Sequence, residues 1–124
     1  MFRVRDQVEL VPEGATQRHL GVVTAVDGEF AEVIWATSTR RPDRLRVGDG
    51  IEVRERHALA ALGLRHVSYF YVDNVERPRH KSELELGYPD PCPPRVFIEL
   101  RLLAEKGRVA QYDAEEEEEE EEEA

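Results

Sequence analysis

The stretch from Arg18 to Thr39 constrains the fold most, because two apolar, β-branched runs sit on either side of Asp27-Gly28. Leu20, Val22, Val23 and Val26 precede that dipeptide, and Phe30, Val33 and Trp35 follow it, at spacings that predict a β-hairpin with one buried face. Asp-Gly is a pair that tight hairpin turns select, since glycine has no Cβ to obstruct a positive φ. The ends of such a ribbon are where side chains leave the core for solvent. Arg18, His19, Thr37, Ser38 and Thr39 occupy those ends.

The flanking segments extend the β pattern. Residues 2–11 alternate apolar and charged side chains, as a strand with one buried face does, until Pro12 breaks them. Residues 51–54 alternate again after the turn at Gly48 to Gly50, and the aromatic, β-branched run from Ser68 to Val75 predicts another strand, stopped by Pro78. His57 to Gly63 is rich in helix formers and closes on a glycine suited to a left-handed cap. The proline-rich run Tyr88 to Pro94 is a connector. Val96, Phe97, Leu100 and Leu103 then recur at helical spacing, predicting an amphipathic helix that ends at Gly107.

Composition limits what this β framework is attached to. The chain has 124 residues and a formal net charge of −10, but nine of its 27 acidic residues form the run Glu115 to Glu123. Without that run, 17 basic side chains face 18 acidic ones, so the body is nearly neutral. We expect one domain over residues 1–112, followed by an acidic low-complexity tail over 113–124 that repels itself and is disordered. No stretch has the roughly 18 to 20 apolar residues a membrane span needs, and residues 1–6 lack a signal-peptide apolar core, so the expected location is cytoplasmic with no membrane partner. Cys92 is the sole cysteine, which excludes an internal disulfide and a cysteine metal cluster. His57, His66 and His80 share no ligand spacing with carboxylates, so neither a metal nor a cofactor is expected.

Short strands joined by tight turns, with one short and one terminal helix, define the expected fold class: mainly β, a small SH3-like barrel with a C-terminal helix. Read in order, residues 18–75 resemble the MazF/PemK family of toxin endoribonucleases, which shares such a barrel. The resemblance rests on Arg18 before Leu20 to Val23, Thr37-Ser38 after Val33 to Ala36, and Gly63-Leu64 followed by Ser68-Tyr69. It implies metal-independent cleavage of single-stranded RNA, in which the 2′-hydroxyl attacks the adjacent phosphorus and leaves a cyclic phosphate. It also implies a homodimer and an antitoxin partner.

That chemistry wants particular side chains. A phosphorane carries extra negative charge that a planar guanidinium matches with paired donors, which nominates Arg18. Thr37 or Ser38 would orient a non-bridging oxygen, and His19 is the nearest group suited to moving a proton from the 2′-oxygen to the departing 5′-oxygen. Arg40, Arg41, Arg44 and Arg46 would follow an RNA backbone, with Ser68 and Arg77 extending the surface. Each residue also has a plainer reading: Thr37 to Thr39 equally suit a strand-ending turn, the arginines equally suit a solvated loop paired with Asp43, Asp49 and Glu52, and Tyr69 to Tyr71 suit core packing better than base stacking.

Two other function classes fit the sequence. One is a non-catalytic SH3-like or KOW-type module binding nucleic acid or protein through the same surface. The other is a phage or mobile-element protein whose working part is the acidic tail, recruiting a basic partner through Glu115 to Glu123.

Overall fold

The computed structural model describes the backbone of residues 2–123 and the side chains of residues 2–110. Strand β1 (Gln7–Leu10) lies against β2 (His19–Asp27), which pairs with β3 (Phe30–Trp35) in the predicted hairpin. The two-residue loop of that hairpin is Gly28-Glu29, one position later than Asp27-Gly28, and only Gly28 takes positive φ, at 59°. A glycine-first loop of this kind follows the right-handed twist of the strands it joins.

Two short strands complete a five-stranded antiparallel sheet. Strand β6 (Arg79–His80) pairs with β3, and β7 (Glu85–Tyr88) pairs with β1, giving the order β6-β3-β2-β1-β7. Strands β4 (Gly50–Val53) and β5 (Ser68–Tyr71) form a separate pair, tied to the end of β3 by a bridge between Thr37 and Tyr69. Helix α1 (Pro42–Arg46) precedes β4, α2 (Arg56–Ala61) links β4 to β5, and α3 (Pro94–Glu123) closes the chain. The architecture is mainly β, a curled antiparallel half-barrel sheet with a C-terminal helix, consistent with a small β-barrel.

The hairpin buries both faces, not the single face its spacing predicted. Val22 and Ile34 join Phe70, Leu62, Phe97, Leu100 and Leu103 on the side covered by α3. Val23 and Val33 join Val8, Leu10 and Leu84 on the other. Consecutive strand residues point to opposite faces, so Val22-Val23 and Val33-Ile34 fill two clusters at once. Phe30, at the turn, stays 48% exposed. Tyr69, Phe70 and Tyr71 are buried packing residues, and their strand ends at Tyr71, where Val72–Asn74 turn into a 3-10 helix.

Two expectations about α3 are corrected. Gly107 does not end the helix: a Cβ at this position would lie 2.6 Å from the Val72 carbonyl oxygen, so glycine lets the helix press against the body. The backbone stays helical to Glu123, replacing the disorder expected from Asp113 onward. Glutamate is among the better helix formers, and extending a helix already nucleated over Pro94 to Gly107 needs no second nucleation.

Candidate functional site

The open end of the hairpin is where the predicted residues collect. β1, β2, β3 and β5 run side by side there: Leu10 faces His19, the Leu20 carbonyl accepts from the Ala36 N–H, and Thr37 exchanges backbone bonds of 2.9 and 2.7 Å with Tyr69. His19 therefore reaches β3 directly. Its Nδ1 lies 2.9 Å from the Ala36 carbonyl oxygen, and its ring packs 4.7 Å from the Trp35 ring. A carbonyl only accepts, so Nδ1 carries the hydrogen in this bond and Nε2 is left as the basic nitrogen. Among the described residues Nε2 has no partner.

Arg18 goes the other way. Its guanidinium crosses β1 and grips Glu85 of β7 through both terminal nitrogens, at 2.5 and 3.1 Å, with Glu9 at 3.8 Å. The pair raises the Arg18 guanidinium and holds the Glu85 carboxyl below the usual range, the direct hydrogen bond being the larger cause in both. The structure thus brings His19, Thr37 and Tyr69 together and directs the Arg18 guanidinium away from Thr37 and Ser38. Arg18 and Glu85 instead border a hollow of about 270 Å³ together with Arg79 and Ser82.

The hydroxyls are partly committed. Thr37 Oγ1 accepts from the Thr39 N–H at 3.2 Å, Ser68 Oγ donates to the His66 carbonyl at 2.8 Å, and Ser38 is exposed. A second arginine that the sequence did not single out stands at the same rim. Arg54, bound to Glu52 at 2.5 Å, follows β4 beside Tyr69, and that carboxylate raises its guanidinium. Its only sequence signal is its place at a strand end, just after β4, whereas Arg18 stands just before β2.

The arginine loop is largely neutralised. Arg41 and Arg44 share Asp73, at 3.3 and 3.0 Å, Arg44 also faces Asp49, and Arg46 binds Asp43. Arg41 lies over the Tyr71 ring, whose hydroxyl accepts from the Arg41 N–H and donates to the Thr39 carbonyl. Asp73 thus takes the place expected of Glu52. Arg40 is exposed with no ion pair among the described residues, and Arg77 borders a hollow with Trp35, Asp73 and Glu76. Arg79 is bound to Glu76 and Glu83, so it does not join the Arg41 group through a shared partner.

Cys92 is buried, and burial pushes its thiol up to about 12, which removes it as a nucleophile. Among the described residues no cluster of histidines, cysteines and carboxylates is arranged to hold a metal, and no helix is long and apolar enough to cross a membrane. Compared with protein-family models, curated proteins and solved structures, the chain finds no match.

Proposed function

We propose that this chain is a metal-independent endoribonuclease of the MazF/PemK-like kind, acting on single-stranded RNA from the open end of an SH3-like barrel. The observation that carries the reading is the His19 to Ala36 bond. It fixes the tautomer whose Nε2 accepts a proton, beside the Thr37-Ser38 strand end.

In this reading His19 Nε2 takes the proton from the 2′-hydroxyl as that oxygen bonds to phosphorus. The bond from phosphorus to the 5′-oxygen breaks, the imidazolium returns the proton to the departing oxygen, and a cyclic phosphate remains. Arg18, turned across β1 onto Glu85, supplies the cation for the phosphorane only by releasing that carboxylate and swinging back toward Thr37 and Ser38. Both members of that pair are more than half exposed, and solvent screens such pairs, so exchange is cheap. Thr37 and Ser38 orient the non-bridging oxygens.

The test is single-stranded RNA incubated with purified protein in EDTA. Products ending in cyclic phosphate are the expected result. RNA left intact across salt and pH overturns the reading and favours a non-catalytic binding module. The neutralised arginine loop speaks for that second reading, since Arg41, Arg44 and Arg46 already have carboxylate partners.

A further inference from the structure

Helix α3 has two apolar faces, and the body uses one. Phe97, Leu100, Leu103, Ala104 and Gly107 are buried against the sheet, and the helix is fastened by Lys106 on Asp49 and by Arg108, whose guanidinium donates twice to buried Glu32 at 2.8 Å. Half a turn away, Ile98, Leu102 and Val109 are each 60% exposed. At 100° per residue these three fall within about 40° of one another, with Glu105 between them, which is the seam spacing of a two-helix coil. In the same spacing the helical backbone continues through positions 112, 116, 119 and 123, a tyrosine and then three glutamates.

We propose that this outer face of α3 docks a helix of another protein, one with an apolar seam that meets Ile98, Leu102 and Val109 and a lysine- and arginine-rich end that meets Glu115 to Glu123. Charge selects this occupant. A second copy packed parallel would set two runs of nine glutamates side by side. A second copy packed antiparallel about Leu102 and Glu105 would carry its own run past Pro94, off the end of the helix. A basic helix satisfies both halves of the stripe: the seam fixes register, and the glutamates steer the approach. The reach of the surface is set by helix geometry. The last fastening among the described side chains is Arg108 to Glu32, and the fifteen backbone positions from 109 to 123 extend about 22 Å further. This inference is independent of the nuclease reading, since it uses none of the residues at the hairpin end.

The test uses the full chain and a fluorescent three-heptad peptide with leucine at every a and d position and lysine at e and g. Two control peptides have the same composition with the seam scrambled, or glutamate in place of lysine. Anisotropy at low salt is expected to show binding of the leucine-lysine peptide and a loss of about tenfold or more with either control. Leu102→Asp, on an exposed face, is expected to weaken binding by a similar factor while circular dichroism and Tm stay unchanged. Replacing Glu115 to Glu123 by glutamine is expected to weaken binding and flatten its salt dependence. Equal binding of the scrambled peptide would reduce the run to a simple polyanion and overturn the proposal, as would no binding at millimolar peptide. Sedimentation showing a dimer that Leu102→Asp dissociates would make a second copy the occupant instead.

Discussion

A histidine stands at each end of the hairpin, His19 on β2 at the open end and His80 on the neighbouring β6 at the turn, and the two are held differently. At the turn end, His80 has both nitrogens engaged, Nδ1 with the Ser82 hydroxyl at 2.8 Å and Nε2 with the Glu29 carboxylate at 3.2 Å. At the open end, His19 has Nδ1 on a carbonyl and Nε2 without a partner among the described residues. A ring bonded at both nitrogens is a clamp; it holds β6 and the Gly28-Glu29 loop together. A ring bonded at one nitrogen is oriented and still has a base to offer. The difference lies in the partners, since the same side chain serves both ends.

The largest expected effect breaks this comparison directly. His19→Gln is predicted to lower RNA cleavage by about 10²- to 10⁴-fold, the usual span for losing a general acid-base group, with folding retained. His80→Gln is predicted to leave the rate within a small factor of the parent. Equal losses in both variants, measured by rate at saturating RNA and by circular dichroism, would show that His19 matters only as packing against Trp35.

Next in size is the shared middle of the ribbon, which holds the two ends in register. Ile34 is fully buried between Val22 and the α3 residues, so Ile34→Ala is expected to cost about 2–5 kcal/mol by urea unfolding. The loss should appear as one cooperative transition. A variant that loosens only one end would show that the ends are not coupled through this core.

How much of this was legible in the sequence follows the range of the interactions involved. The hairpin, α2 with Gly63 after it, and the buried Tyr69 to Tyr71 run are written in local patterns of spacing and residue type, and they appear close to where the spacing puts them. Strands β6 and β7 have no such pattern. Arg79 and His80 are polar, and Leu86 is 62% exposed, so these segments become strands only because β3 and β1 offer open edges. Gly107 reads as a helix end in the sequence because a close approach and a cap use the same residue for different reasons. His19 and Thr37 are legible as the ends of a recognisable ribbon, and they lie together at its open end. The capture of Arg18 by Glu85 is not legible, since a partner 67 positions away leaves no trace in spacing.

A smaller effect tests the turn itself. Gly28 has φ 59°, and a Cβ added there meets nothing within 4 Å, so Gly28→Ala isolates the conformational cost, expected at about 1–2 kcal/mol. Cleavage at the open end should keep its rate, because the strands between the ends remain packed. A rate that falls with the turn variant would mean that the two ends communicate, against the separation drawn from the histidines.

The smallest effect is electrostatic, and it compares the ends by their carboxylates. Glu29 is held below the ordinary range by its hydrogen bonds from His80 and then Lys81, and Glu85 by Arg18. A carboxyl whose folded value is depressed contributes stability that is complete above its unfolded value, about 4.3 for glutamate, and lost as pH falls through the lower folded value. Acid should therefore release both ends in the same direction, with NMR titration midpoints for Glu29 and Glu85 below that of a free glutamate. His80→Gln should raise only the Glu29 midpoint, and Arg18→Gln only that of Glu85. A Glu85 midpoint that ignores Arg18→Gln would mean that the guanidinium already spends its time away from Glu85. The open end would then lack its ion-pair clamp, which sharpens the contrast with the turn, where His80 holds Glu29.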